Sequence, residues 1–276
     1  MSKLIQWYPG HMAKTMRLIE ENLSNIDIVF FVLDARIPIN SINPKLWQLT
    51  KDKAKLLILN RTDLADQKVT KQFIELFKMQ NIPAVAVSGK EVKLQNLDRL
   101  ISQTVNQHHN VTGDTHALIS GVPNVGKSTI INHLLEKNIL KTENRAGVTK
   151  KIVWQPTNNG YQLGDTPGLL WPKFEDQEQA YKLALTGAIA DHIFYPDDVA
   201  IFLLEQLKKI NKLDVVFDRY QFEETTEDNL EIFYLIGQRT GFKDDYEKIS
   251  WRLINDYRQG KLGPLTFDEV PTDFEL

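Results

Sequence analysis

Short apolar runs in the first ninety residues predict the buried strands of a β-sheet. They lie at residues 28–33, 55–59 and 84–87, and each is rich in aliphatic, β-branched or aromatic side chains. The segments between them are long enough for helices, and residues 69–79 have the helical spacing of apolar positions. Apolar strands that alternate with helices are typical of a mostly parallel sheet with helices on both faces. The pattern therefore predicts an α/β fold.

The same alternation continues in the next eighty residues. Helices are predicted at about 11–23, before the first strand, and within 92–110. A fourth strand at 116–120 leads into a glycine-containing loop, and a helix is predicted at about 128–136. Two further β segments, around 152–155 and 160–163, are separated by Asn-Asn-Gly, which favours a hairpin.

In the last hundred residues the spacing of apolar positions becomes helical throughout. Helices are predicted over 178–193, 198–210, 227–239 and 246–259. Asp197 and Thr226 stand where helix N-caps are expected, and Gly260 stands where the last helix should stop. A chain of 276 residues commonly forms about two domains. We therefore predict an α/β domain over 1–176 and an all-helical domain over 177–276.

Composition narrows the class of protein. Hydrophobic residues make up 42% of the chain and charged residues 25%, as in ordinary globular proteins. The chain has no cysteine, which excludes disulfides, a thiolate nucleophile and cysteine-ligated metal centres. The first residues lack the apolar core of a signal peptide, and no run approaches the roughly 18 apolar residues of a membrane span. We therefore expect a cytoplasmic protein with no membrane partner.

The net charge of −3 conceals a difference between the two predicted domains. Residues 1–176 carry 22 Lys and Arg against 16 Asp and Glu, a net charge of +6, whereas residues 177–276 carry 11 against 20, a net charge of −9. A polyanion would prefer the first domain. Neither imbalance is large for its length, so the alternative is that both are ordinary solvated surfaces.

One segment has the sequence of a phosphate-binding loop. Residues 121–128 read GVPNVGKS, which matches G-x-x-x-x-G-K-S between a predicted strand and a predicted helix. Glycines let backbone N–H groups and the helix N-terminus face the phosphates, while Lys127 reaches the β- and γ-phosphates and the Ser128 hydroxyl ligates Mg²⁺. The predicted phosphate-binding residues are Pro123, Asn124, Val125, Gly126, Lys127, Ser128 and Thr129.

A second phosphate motif, Asp-Thr-Pro-Gly, follows the predicted hairpin at residues 165–168. Asp165 is predicted to hold Mg²⁺ through water, and the Gly168 N–H to sense the γ-phosphate. Between the two motifs, Gly-Val-Thr at 147–149 offers the Thr149 hydroxyl as a further Mg²⁺ ligand, although threonines are common in polar loops. Together these motifs predict a nucleotide site that uses Mg²⁺.

The elements that would recognise the base lie upstream of the phosphate motifs. Asn-Arg-Thr-Asp at 60–63 follows the second predicted strand, and Ser-Gly-Lys at 88–90 follows the third. The Asp63 carboxylate can accept hydrogen bonds from guanine N1–H and N2–H₂, donors that adenine does not present. Either motif alone could be an ordinary loop, but the pair at strand ends favours GTP. The predicted base-side residues are Asn60, Arg61, Asp63, Ser88, Gly89 and Lys90.

This order, with the base motifs before the phosphate motifs, resembles the circularly permuted GTPases, and among them the ribosome biogenesis GTPase A (YlqF-like) family. The resemblance extends over essentially the whole chain and includes Trp-Tyr-Pro-Gly-His-Met at 7–12 and Asp-Ala-Arg-Ile-Pro at 34–38. Arg61 replaces the usual Lys and Gly89 the usual Ala, but a planar guanidinium can still lie along the base. The resemblance implies a circularly permuted P-loop GTPase domain followed by a small all-α domain.

The resemblance also implies a function. It indicates a GTPase of low intrinsic rate that acts in late maturation of the large (50S) ribosomal subunit, with ribosome-stimulated hydrolysis of GTP to GDP driving release. The partners would be the rRNA and ribosomal proteins of a large-subunit precursor, and away from the ribosome we expect a monomer. Besides Mg²⁺, Asn124 resembles a ligand for K⁺ beside the phosphates. The alternative for Asn124 is a loop asparagine that bonds its own backbone.

The group that positions the attacking water is not the usual one. Leu169 stands where many GTPases carry a glutamine for this task. The resemblance implies that His11 takes over, because a neutral imidazole can orient water or accept its proton. The alternative is a helix-start histidine with no catalytic part. The predicted catalytic residues are His11, Lys127, Thr149 and Gly168, and the predicted Mg²⁺ ligands are Ser128, Thr149 and Asp165.

Two other functions remain open on the sequence alone. One is a nucleotide-gated RNA- or protein-binding switch with negligible hydrolysis of its own. The other, a P-loop ATPase or kinase, is disfavoured by the base motifs.

The order of the motifs also links the phosphate site to the helical domain. When the base motifs come first, the chain continues from the γ-phosphate sensor through residues 169–173 into the helical domain, so loss of the phosphate could move that domain. The alternative is a passive linker.

Clusters of Lys and Arg limit where RNA could bind. Because the helical domain is net acidic, RNA would need a local basic strip there. The candidate strips are Lys208, Lys209 and Lys212, and Arg252, Arg258 and Lys261. The first domain is the better electrostatic anchor. Its candidate cations are Lys14, Arg17, Lys51, Lys53 and Lys55.

Overall fold

A computed structural model describes residues 4–88, 95–107, 114–135, 152–174, 176–223 and 225–272 of the chain. The predictions for Gly89, Lys90 and Thr149 lie outside these residues. No helix in the described ranges is both long enough and apolar enough to cross a bilayer.

A single sheet runs through the first part of the described chain. Its strands are β1 (Ile28–Asp34), β2 (Ala54–Asn60), β3 (Ala84–Ala86), β4 (Thr115–Gly121), β5 (Trp154–Pro156) and β6 (Tyr161–Asp165). The strand order is β3-β2-β1-β4-β6-β5. All pairs are parallel except β5 with β6, which form the predicted antiparallel hairpin. Every residue of β1 is buried, and its first six residues are all apolar, as expected for a central parallel strand.

Helices connect and follow these strands. They are α1 (Gly10–Glu21), α2 (Pro44–Leu49), α3 (Gln67–Met79), α4 (Gln95–Gln107), α5 (Lys127–Leu134), α6 (Gln177–Thr186), α7 (Pro196–Lys209), α8 (Asp214–Tyr220), α9 (Asn229–Thr240) and α10 (Tyr246–Arg258). In the last part of the chain, α10 packs against α6, α7 and α9. The predicted domain division at residue 176 stays a prediction.

Three helix predictions need correction or addition. The sequence pattern misses α2 and α8, whose six and seven residues are too few to show a helical period. The helix predicted over 178–193 is too long, because α6 ends at Thr186, where Gly187 adopts φ +83° and terminates it. Residues Asp191–Ile193 form a separate 3₁₀ turn.

Both predicted N-caps are wrong by two positions. The helix α7 begins at Pro196, whose fixed φ suits a first helical turn, so the cap position falls on Tyr195 and Asp197 lies inside the helix. At α9 the capping carboxylate belongs to Asp228, and Thr226 precedes it. In each case another residue with a good start signal stands close to the predicted one, and sequence alone does not rank them.

The topology places one edge of the sheet where a ligand can bind. From β1 the chain adds β2 and then β3 on one side of the sheet, whereas β4 and the β5–β6 hairpin lie on the other side. In open α/β sheets, ligands bind at the carboxyl ends of the strands where the order reverses in this way. The residues at the carboxyl ends of β1, β2, β4 and β6 are Asp34, Asn60, Gly121 and Asp165.

A segment after α10, residues 262–270, returns to the first part of the chain, and we call it the return segment. It lies against the loop that follows β2 and the turn that follows β1. Its hydrogen bonds run from Leu265 N to Leu64 O (3.0 Å), from Asp66 N to Thr266 Oγ1 (3.1 Å), from Phe267 N to Arg36 O (2.8 Å) and from Ile39 N to Asp268 Oδ2 (2.8 Å). The helical part of the chain, which comprises α6 to α10, is therefore attached directly beside the first base motif, at residues 60–63.

Candidate active site

The predicted phosphate loop joins the end of β4 to the start of α5. Gly126 occupies the cap position of α5 with φ +94°, a conformation that L side chains rarely adopt. A Cβ at this position would also collide with the amide nitrogen of Asn60. The first turn of α5 contains Lys127, Ser128 and Thr129, so the positive end of the helix dipole lies at the loop. This arrangement suits a phosphate anion.

Asn60, at the end of β2, links the first base motif to the phosphate loop. Its side chain is 2% exposed, and its Nδ2 donates to the Val125 carbonyl at 2.8 Å. Its Oδ1 atom is buried and has no hydrogen-bond partner in the described chain. An unsatisfied buried acceptor costs free energy, and a donor supplied by a bound ligand would remove that cost.

The two base motifs lie side by side. Ser88 is buried, and its hydroxyl donates to Asp63 Oδ1 at 3.1 Å, while Asp63 itself is exposed at the surface where a base can reach it. Arg61 has a left-handed backbone with φ +63°, and its guanidinium donates to the Asn124 carbonyl in the phosphate loop. Burial lowers the pKa of Arg61, and the Asp34 carboxylate offsets part of that shift. The guanidinium thus reaches from the base side to the phosphate side.

Lys127 and Asp165, predicted to serve phosphate and Mg²⁺ respectively, form an ion pair with each other. The Lys127 side chain is 9% exposed and the Asp165 side chain 36% exposed. The Asp165 carboxylate oxygen contacts the Lys127 ammonium group where a phosphate oxygen could bind. The lysine side chain is therefore already placed to bind an anion. Ser128 is half-buried beside it. These groups are the hard oxygen and cationic partners that a nucleotide with Mg²⁺ requires.

The Asp-Thr-Pro-Gly motif packs directly on the phosphate loop. A Cβ at Gly168 would lie 2.7 Å from Pro123 Cα, so no larger residue fits there. The next residue, Leu169, donates its N–H to the Gly121 carbonyl at 3.0 Å, and its side chain is completely buried. A buried aliphatic side chain cannot orient a water molecule, so another group must do so.

His11 lies in the first turn of α1, which contacts the chain just after this motif. The neighbouring Met12 is buried, and its Sδ accepts a hydrogen bond from Leu170 N at 3.4 Å. The His11 ring is half-exposed and forms no hydrogen bond with the described residues. The start of α1 is thus held close to the chain that follows Gly168, while the imidazole remains available.

Comparison with known proteins decides the family. A sequence model described as "50S ribosome-binding GTPase" matches residues 116–235. Ribosome biogenesis GTPase A of Priestia megaterium is 40% identical over 98% of this chain and 98% of its own length. The chain belongs to the ribosome biogenesis GTPase A family. Mitochondrial ribosome-associated GTPase 1 of Xenopus tropicalis is more distant, with 30% identity over 96% of this chain and 95% of its own.

Solved structures confirm the fold of this ribosome biogenesis GTPase A family member. The GDP-bound structure of TM YlqF matches with a TM-score of 0.62 and 26% identity, over 92% of this chain and 99% of that one. The GNP-bound structure of YlqF from T. maritima matches with a TM-score of 0.63 and 25% identity, over 92% and 97%. The predicted circularly permuted α/β GTPase fold is therefore confirmed.

Membership of the ribosome biogenesis GTPase A family establishes the activity in outline. The protein is a GTP-hydrolysing enzyme of ribosome assembly, with GTP and GDP as its nucleotides and Mg²⁺ as the usual metal of such enzymes. The two other functions left open by the sequence, a switch with negligible hydrolysis and an ATPase or kinase, are set aside by this membership.

A buried ion pair after β1 was not recognised as functional from the sequence. Arg36 is completely buried and binds both oxygens of Asp34, with Nε–Oδ1 at 2.9 Å and NH2–Oδ2 at 2.7 Å. Its NH2 also donates to the Thr186 carbonyl at 3.2 Å, and its guanidinium lies 5.3 Å from the centre of the Tyr257 ring. The charges of Asp34 and Arg36 at the end of an apolar strand were the only sequence signal for this pair. The other partners of Arg36, Thr186 and Tyr257, lie 150 or more residues further along the chain.

The C-terminal end of α6 was also missed, and it is a second place, besides the return segment, where the helical part contacts the first part of the chain. Arg258 donates to the carbonyls of Ala184 (2.8 Å) and Leu185 (3.1 Å) in the last turn of α6, and the Ala184 carbonyl also accepts the Gly187 N–H at 3.0 Å. The predicted K⁺ residue Asn124 donates its Nδ2 to the Gly187 carbonyl at 2.8 Å. The phosphate loop therefore contacts the helical part of the chain directly, and we call this set of contacts the α6 junction.

Proposed function

We propose that this GTPase acts in late maturation of the large (50S) ribosomal subunit, and that the ribosomal particle stimulates GTP hydrolysis, which in turn drives release. The observation that carries the proposal is the hydrogen bond of the α6 junction between the phosphate-loop residue Asn124 and the Gly187 carbonyl. Through it, a change at the phosphates can alter the attachment of the helical part, which is what a release step requires. The description of the matched family as ribosome-binding supports the partner.

Nucleotide binding is assigned to the residues at the carboxyl edge of the sheet. Asp63 and Ser88 would hold the guanine edge, while Lys127 and the first turn of α5 would hold the phosphates. Ser128 and Asp165 supply oxygen donors suited to Mg²⁺, which neutralises charge on the phosphates when it is bound. On binding, Lys127 exchanges the Asp165 carboxylate for a phosphate oxygen. Thr149, outside the described residues, stays a proposed third ligand.

Water activation is assigned to His11. The Leu169 side chain is buried, while the His11 ring is accessible on a helix that contacts the chain after Gly168. A neutral imidazole accepts the proton of the attacking water or fixes its orientation. Contact with the ribosomal particle would fix His11 in its active position, so we expect a low rate in its absence.

RNA contact by the helical part is assigned to one of the two predicted strips. In the strip at α7, Lys208 pairs with Glu205 (2.9 Å) and Lys209 with Glu269 (2.9 Å), so much of its charge is neutralised. At the other predicted strip, Arg252 and Lys261 share the buried Asp256 carboxylate with Arg219, which the sequence prediction did not include, so positive charge is in excess there. The third predicted residue of this strip, Arg258, pairs with Asp191 at 2.8 Å. RNA contact is therefore assigned to the strip around Asp256.

The proposal is tested by co-sedimentation with separated ribosomal subunits in GTP, GDP and a non-hydrolysable GTP analogue, together with GTP turnover in each mixture. We expect binding to large subunits or their precursors with the analogue, weaker binding with GDP, and turnover raised by the large subunit alone. Equal sedimentation with both subunits, or in all three nucleotides, would refute the 50S assignment or the release step respectively.

A further inference from the structure

A groove between α1 and α2 lies outside the nucleotide site. Its volume is about 330 Å³, which is within the range of small-ligand sites. Tyr8, Met16 and Leu49 provide its apolar surface, and Arg17, Glu20 and Lys45 its charged groups. It thus combines an aromatic ring, an aliphatic floor and charged sides in one concave surface.

The two cations of the groove are available to a ligand. Arg17 and Lys45 are both exposed, and neither forms an ion pair with a described residue. Burial raises the pKa of the Tyr8 hydroxyl, and the Arg17 charge offsets part of that shift, so Tyr8 is neutral at physiological pH. A half-buried neutral ring beside unpaired cations favours a partner with a flat π-face and negative charge.

We propose that this groove binds one unstacked nucleotide of single-stranded RNA, with its base on Tyr8 and Met16 and its flanking phosphates on Arg17 and Lys45. This inference rests on the proposed function, since it assigns a docking surface for the ribosomal particle. Charge complementarity supports RNA as the occupant, because the groove belongs to the part of the chain with net charge +6. Glu20 can accept a hydrogen bond from a ribose 2′-hydroxyl or a base amino group.

The groove is built on the helix that carries His11. Among the residues of α1 only Met12, Thr15 and Ile19 are buried, and no side chain caps its first turn. A ligand bound along such a helix adds contacts to these few and stabilises its position further. RNA in the groove would therefore hold α1, and with it His11, against the chain that follows Gly168. This gives the ribosomal particle a physical route to the catalytic group.

The test uses the full chain and a fluorescein-labelled five-nucleotide oligoadenylate RNA, with the DNA of the same sequence as a second probe. The variant Arg17→Glu with Lys45→Glu should weaken RNA binding at least about 10-fold, whereas the matched control Lys68→Glu with Lys71→Glu on α3 should change it less than about 3-fold. Tyr8→Leu should weaken binding about 5- to 100-fold, and Tyr8→Phe should leave it unchanged because stacking is retained. GTP affinity should be the same in all variants, which shows that each is folded.

The outcomes separate this inference from the proposed function. Groove variants that bind RNA as the wild type does, or oligoglutamate peptide that competes as well as RNA, would overturn the groove assignment even if the wild type sediments with large subunits. Conversely, RNA binding that depends on the groove in a protein that sediments with no ribosomal particle would keep the groove and remove its proposed role. Loss of both RNA binding and subunit-stimulated turnover in the groove variants supports the inference as stated.

Discussion

The proposed preference for guanine rests on Asp63. Its exposed carboxylate accepts a hydrogen bond from the Ser88 hydroxyl, and in the proposed site it would accept two more from guanine. Asp63→Asn should lower GTP affinity about 10- to 100-fold and shift the preference toward xanthosine triphosphate, whose C2 carries oxygen. Titration calorimetry with both nucleotides measures this, with Asp52→Asn as an exposed control. GTP affinity equal to that of the wild type would show that residues 60–63 do not read the base.

The Asp34 carboxylate stabilises the fold, and this stabilisation is lost at acidic pH. Burial raises its pKa, but the Arg36 charge and hydrogen bonds lower it by more, so the pKa lies below its ordinary value. A carboxyl group with a lower pKa in the folded state stabilises the fold above its unfolded pKa of about 3.9, and this stabilisation disappears as the pH falls through the folded pKa.

Asp34→Asn should therefore lower the free energy of unfolding by about 3–5 kcal/mol at neutral pH, because it leaves the buried Arg36 charge uncompensated. It should also flatten the loss of stability below about pH 4. Urea unfolding at a series of pH values measures both effects. Asp218→Asn, at an exposed position, should change the free energy by less than about 0.5 kcal/mol. A variant with the acid profile of the wild type would contradict the role given to this pair.

At the scale of single residues, the sequence identifies groups whose chemistry depends on local spacing. The spacing of Gly126, Lys127 and Ser128 is sufficient to predict an anion-binding loop, because one turn and one helix position all three. The sequence does not identify Arg36 as a link between distant elements. Arg36 binds the Thr186 carbonyl, and folding of the rest of the chain places that carbonyl beside it.

Among the elements, α1 is the one whose catalytic role can be tested most directly. His11→Ala should lower ribosome-stimulated turnover by about 10- to 10⁴-fold while GTP affinity changes little, because the ring is predicted to act on water and not on the nucleotide. Turnover by the purified protein with large subunits measures the effect. His192→Ala, in an exposed turn of the helical part, serves as the control. Unchanged stimulated turnover would return His11 to a structural role.

Element prediction succeeded where a residue period or a glycine loop was long enough to read. The strands β1 and β2 and the helices α3 and α5 are found close to their predicted positions. The errors occur at helix ends and in short helices. At α6 the left-handed Gly187 ended a helix whose apolar period continued beyond it, and at α7 the start was set by Pro196. Competition between such local signals is decided by packing, which the sequence pattern does not show.

For the molecule as a whole, Asn124 connects the phosphate site to the helical part. Because its Nδ2 is directed to the Gly187 carbonyl, the orientation of its Oδ1 is also fixed. If Oδ1 ligates K⁺, hydrolysis should be about 10-fold faster in K⁺ than in Na⁺ at matched ionic strength, and Asn124→Ala should abolish that difference. The same variant should increase hydrogen exchange at the end of α6, since it removes a contact of the α6 junction.

Turnover assays in the two salts and hydrogen-exchange mass spectrometry measure these effects, with Asn255→Ala as an exposed control. Equal wild-type rates in K⁺ and Na⁺ would exclude the cation. An unchanged exchange rate at the end of α6 would show that the loop does not help to hold the helical part.

The return segment has a consequence for how the protein is made. Thr266, which accepts the Asp66 N–H, is synthesised 200 residues after it. Ribosomes translate about 5–20 residues per second, so this contact can form only roughly 10–40 seconds after the loop with residues 60–63 has been synthesised. Until then the nascent chain carries Asp63 without the segment that lies against its loop. A protein of ribosome assembly thus completes the surroundings of its base-binding loop only after its own ribosome has translated the helical part.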